Sequence, residues 1–157
     1  YKPLYDEVMQ MYGHDHPITL KVGMHLADNF RLQKHFTQSE SMIREIQRSQ
    51  RRILGPDHPD TLNTCFILGR TLEEQEKWTE ADEIFQDTRD AMVRVLGPDH
   101  PLNLKVSASV GHRWVARGDL ERGMPMLIET HASQSRVLGA AHTSTCLTLQ
   151  YLQDLSE

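Results

Sequence analysis

A chain of 157 residues with 38% apolar and only 6% aromatic side chains is long enough for one domain, yet poor in the large side chains of a dense single core. A net charge of −5 and an isoelectric point near 6.0 argue against the basic surface that nucleic acid requires, and no apolar run approaches the roughly 18 residues of a membrane span. Two cysteines, Cys65 and Cys146, are too few and too far apart for a disulfide framework. Both sit in apolar helical patterns and read as buried thiols. With no signal peptide in view, they point to the cytoplasm.

The chain opens in mid-pattern, without an initial Met, and reads as part of something longer. Residues 1–12 are expected to be the end of a helix belonging to a preceding unit. The punctuation that follows recurs. Gly13-His14-Asp15-His16-Pro17, Gly55-Pro56-Asp57-His58-Pro59 and Gly97-Pro98-Asp99-His100-Pro101 are variants of one motif, and Gly139-Ala140-Ala141-His142-Thr143 is a degraded fourth copy. Glycines and histidines alike are spaced by 42 residues, and Leu20, Leu62 and Leu104 keep the register, with Cys146 as the fourth member. A fixed period of this length marks a repeat architecture.

Each motif reads as stop, tight loop, start. Glycine takes the left-handed conformation that ends a helix. The later proline suits the first turn of the next helix, where its missing N–H is not needed. Asp57 and Asp99 are placed to accept hydrogen bonds from free N–H groups there. The predicted repeats are therefore 13–54, 55–96 and 97–138, with 139–157 as the first helix of a fourth.

The roughly 37 residues between motifs are too long for one ordinary helix. Gly118-Asp119 supplies a turn in the third repeat, and register places the equivalent turn of the second near Glu73–Trp78. Each repeat thus splits into a helix A and a helix B of about 16 to 19 residues. Leu62, Cys65, Phe66, Leu68 and Leu72 in helix A, and Trp78, Ala81, Ile84, Phe85, Met92 and Leu96 in helix B, fall at three- and four-residue steps. The fold class is all-α.

Reactive constellations are not evident. There is no Gly-x-Ser-x-Gly, phosphate loop, His-Glu-x-x-His or Cys-x-x-Cys pattern. His16, His58, His100 and His142 recur with the repeat, which gives them a structural role in the loop. Runs such as Glu73-Glu74-Gln75-Glu76 read as solvated helix surface, and so does the stripe of Arg44, Arg48, Arg51 and Arg52. No enzyme activity, cofactor or metal is expected.

The residues resemble the tetratricopeptide pattern of small and large side chains. Cys65-x2-Leu68-Gly69-x2-Leu72 and Ala81-x3-Phe85 carry it in the second repeat, and Val110-Gly111-x2-Trp114 and Gly123-x3-Leu127 in the third. Small residues let paired helices approach, and large ones fill the gaps between them. The 42-residue period and the Leu-Gly-Pro-Asp-His-Pro loops are similar to the kinesin-light-chain type of tetratricopeptide repeat, a type also found in NB-ARC and NACHT signalling proteins. The resemblance implies a right-handed α-solenoid of stacked antiparallel helix pairs, with helix A lining a concave groove. Kinesin light chains favour an Asn-Asn-Leu-Ala stretch in helix A. Met24-His25-Leu26-Ala27 and Phe66-Ile67-Leu68-Gly69 stand there instead, which counts against a motor-cargo role.

By that resemblance the groove positions are Lys21, Met24, Asp28 and Arg31 in the first repeat, and Asn63, Phe66, Arg70 and Glu73 in the second. Lys105, Ala108, His112 and Val115 follow in the third, and Leu147, Gln150 and Asp154 in the fourth. Phe66 is the expected apolar anchor and Arg70 the expected carboxylate contact. The implied function is a non-catalytic scaffold that binds a protein or peptide, with no nucleic-acid or membrane partner. The alternative is a structural or self-assembling segment of a signalling receptor, associating through the apolar faces of its terminal repeats, where Leu147, Leu149 and Leu152 lie.

Overall fold

The structure, a computed structural model, describes residues 2–154; Tyr1 and residues 155–157, which include the ends of the first and last predicted segments, lie outside the described residues. Eight helices are described and no strand: α1 (Lys2–Tyr12), α2 (Pro17–Leu32), α3 (Phe36–Ile53), α4 (Pro59–Glu73), α5 (Trp78–Leu96), α6 (Pro101–Ala116), α7 (Leu120–Val137) and α8 (Thr143–Gln153). The chain divides into two compact units, Tyr1–Thr88 and Arg89–Glu157, with the division inside α5. In the first, α2 packs on α1 and α3, and α3 on α4; in the second, α7 packs on α6 and α8.

Each A helix begins the same way. The loop histidine is extended and serves as the N-cap, its Nδ1 accepting a main-chain N–H from two residues on. His16 accepts from Ile18 at 3.3 Å, His58 from Asp60 at 3.2 Å, His100 from Leu102 at 3.1 Å and His142 from Ser144 at 3.2 Å. Proline follows the first three as the opening helical residue. The recurring histidines thus have the structural role expected of them, and it is capping. His58→Ala is expected to cost about 1 kcal/mol in urea unfolding, and His58→Asn, which keeps a capping acceptor, to restore most of it.

The loop aspartate does something other than accept those N–H groups, which corrects the expectation for Asp99. Its two carboxylate oxygens take Nη2 of Arg136, in the last turn of α7, at 2.6 and 2.8 Å. Asp15 pairs in the same register with Arg52 in the last turn of α3. The histidine already satisfies the N–H, so the carboxylate is left to tie the loop to the end of helix B of the same repeat. In the arginine stripe Arg44 is also engaged, with Glu40 at 2.8 Å and with Glu80.

The turn inside each repeat is left-handed in all three copies. Gly118 has φ 85°, but Lys34 and Glu76, at the equivalent positions, hold φ 63° and 61° with full side chains. Close helix approach is most severe at Gly123, where an added Cβ would lie 2.7 Å from the Gly111 carbonyl oxygen and 2.9 Å from the Val115 nitrogen. Here α6 and α7 meet backbone to backbone. Cys65 is buried as expected, whereas Cys146 is exposed because it lies on an outward face of α8.

Candidate functional site

In the first unit α2 and α4 stand side by side, backed by the end of α3, and leave an open cleft of about 640 Å³ between them. Leu20, Met24, Ile53, Leu54 and Ile67 give it apolar walls, and Lys21, His25, Asp60 and Asn63 add polar groups. Three of the expected groove residues, Lys21, Met24 and Asn63, are therefore brought together here. The volume is within the usual range of small-ligand pockets and suits one or two side chains of a peptide.

Farther along the same helices the surface is occupied by its own ion pairs. Arg31 donates to Asp28 at 2.7 Å and to Glu74 at 2.8 Å, and its side chain is only 14% exposed. Burial alone would lower the pKa of this guanidinium. The hydrogen bonds from Arg31 to Asp28 and Glu74 outweigh that, and the net shift is upward. Asp28 stays largely exposed.

Phe66 and Glu73 are buried. Each is only 6% exposed. The Phe66 ring lies against Phe85, centroids 5.9 Å apart, and so packs between α4 and α5. The Arg70 guanidinium carbon lies 6.0 Å from the centre of the Phe66 ring. The reason is the position of α4, which is buried on most of its circumference. Ten of its residues are buried, where helical periodicity alone assumes one wet face.

The second unit repeats the cleft on a smaller scale. Pro101, Lys105, Gln134, Leu138, His142 and Ser144 line a hollow of about 430 Å³ between α6, α7 and α8. Lys105 is exposed at its wall, two periods from Lys21. His112 stacks on Tyr151 with ring centroids 3.8 Å apart, and Gln150 is exposed on α8. Ala108 and Val115, expected in the groove, are buried.

Sequence reasoning missed Gln50 and Gln134, which line the two clefts from α3 and α7. The signal was available. The 42-residue register aligns Gln50, Met92 and Gln134, a polar–apolar–polar series at a position facing the interior. Among the described residues no group of three or more His, Cys, Asp or Glu could hold a metal ion, and no helix is long and apolar enough to cross a membrane.

Paired helices with small residues at their crossings, repeating every 42 residues, define a helical repeat protein. Residues 22–92 match the model of the tetratricopeptide repeat family. Over nearly its whole length the chain has the fold of solved kinesin-light-chain-like repeat structures. A kinesin-light-chain protein of Podosopora anserina with nearly identical TPR-like repeats aligns with 96% of this chain and 72% of its own, at 18% identity and a TM-score of 0.77. A single-site variant of that protein aligns with a TM-score of 0.78, again at 18% identity, over 96% of this chain and 71% of its own. BtubC (BKLC) of P. vanneervenii aligns with 96% of this chain and 61% of its own, at 17% identity and a TM-score of 0.80. No curated protein matches the sequence.

Proposed function

We propose that the chain is a non-catalytic interaction module within a larger, intracellular protein, and that it binds a peptide or partner protein along the faces of its A helices. The observation that carries this reading is the cleft between α2 and α4, where apolar walls meet a rim of both charge signs. Such a surface suits an extended segment that buries a few side chains and keeps its charges at the edge. In the first unit Lys21, Met24 and Asn63 are the residues offered to it, and in the second Lys105 lines the smaller hollow.

The test is a selection of random linear peptides against the chain, followed by affinity measurement with Met24→Glu. A charge in the cleft wall is expected to weaken the selected peptides at least tenfold while helicity by circular dichroism is unchanged. Peptides that bind both forms equally, or a selection that yields none, would sink the proposal.

A second reading is self-association through α8, where Leu147 and Leu149 are exposed by 46% and 41%. It predicts a concentration-dependent mass in light scattering that Leu147→Glu abolishes.

A further inference from the structure

Gln50 is 8% exposed and Gln134 1%. The Oε1 of each is buried with no hydrogen-bond partner among the described residues. A buried carbonyl oxygen without a donor costs stability, and this one occurs twice, two 42-residue periods apart, each time in the wall of the cleft between neighbouring A helices. At the intermediate position Met92 is fully buried. The fold therefore accepts an unbranched apolar side chain at this register, and the amide is not needed to build it.

We propose that Gln50 and Gln134 each mark, within its own unit, a subsite for the main chain of an extended polypeptide, engaging one peptide group while the adjoining apolar side chain enters the cleft of that unit. This deepens the reading of the A-helix faces as a peptide site and rests on it. The chemistry selects the occupant. An orphaned carbonyl oxygen calls for an N–H donor, and a peptide group supplies one with a carbonyl beside it that the carboxamide nitrogen can engage in return. The terminal torsion of glutamine is soft, so the amide can turn its oxygen toward the cleft without moving the helix. In the first unit Leu20, Met24, Leu54 and Ile67 provide the apolar walls for the side chain. Lys21 and Lys105 stand at the same register of the two clefts. A single buried water would satisfy the oxygen equally well, and the test separates the two.

The probe is N-acetyl-leucine N-methylamide, one apolar side chain flanked by peptide groups, titrated into the 15N-labelled chain. Saturable shifts of the Gln50 and Gln134 side-chain amide signals are expected. Gln50→Met with Gln134→Met is expected to weaken the probe at least tenfold and to raise the melting temperature of the free chain, by roughly 2–4 °C for each orphaned oxygen removed. Unmoved amide signals, or equal binding by the double variant, would overturn the proposal. A fall in melting temperature with binding unchanged would do so as well, by assigning the amides to buried water. If peptides chosen in the library selection lose affinity with Met24→Glu but not with the methionine pair, the subsites fall and the interaction face stands.

Discussion

Phe85→Ala is expected to destabilise the chain by roughly 3–5 kcal/mol and to reverse the sign of a second substitution, Gly69→Ala. Phe85 is 1% exposed, and a Cβ built on Gly69 would lie 2.5 Å from its ring. The pair is one packing event, since the ring occupies the space that the missing side chain leaves open. Gly69→Ala alone must displace the ring, at a cost of about 1–3 kcal/mol from overpacking that exceeds the gain of about 1 kcal/mol in helix propensity. Once Phe85 is alanine the obstruction is gone, and only the propensity gain remains. A double-mutant cycle by urea denaturation measures this. Additive losses would show that the ring and the glycine do not share the same space.

Glu40→Gln is expected to cost about 2–3 kcal/mol at neutral pH and almost nothing near pH 2. Burial by itself pushes the Glu40 carboxyl up, but hydrogen bonds from Lys77, Gln75 and Arg44 outweigh it and hold the group at about 2, against 4.5 ordinarily. The contacts are short, at 2.7 Å to Lys77 and 2.8 Å each to Gln75 and Arg44. They fasten the first turns of α3 to the turn between α4 and α5. The Glu40 side chain is only 13% exposed, whereas Arg44 and Lys77 are 37% and 44% exposed, so solvent screening trims the effect below the full shift. With the folded-state value below the unfolded one, the folded chain binds fewer protons. The stabilisation is complete above about pH 4.5 and is lost as the pH falls through 2. Unfolding curves of parent and variant should converge on acidification, and a constant gap would locate the effect in packing instead.

Much of this architecture is legible from local chemistry. Gly55 and its equivalents end helices, and Pro17, Pro59 and Pro101 open them. Both effects belong to the backbone of one or two residues and so survive without tertiary context. The turn at Glu76 is legible only through register, because its left-handed residue carries a side chain that no turn rule selects. Surrounding structure holds it in place.

The site is a different matter. Lys21, Met24 and Asn63 meet in one cleft as their register suggests, since residues at the same position of successive A helices become neighbours when the helices stand side by side. Phe66 shares that register and is buried all the same.

By itself the sequence determined the helices, their punctuation, their period and the small-to-large crossings at Gly69, Gly111 and Gly123, because each rests on residues close in the chain or repeated at a fixed interval. Only the tertiary structure decided which polar groups are satisfied. It placed a capping bond on His100 and sent Asp99 to Arg136, closed three partners around Glu40 and left the oxygens of Gln50 and Gln134 without a donor. Hydrogen bonding is short-ranged and directional. A side chain's partner is fixed by which atoms the packed helices bring within 3 Å or so, and helical periodicity carries no information at that scale.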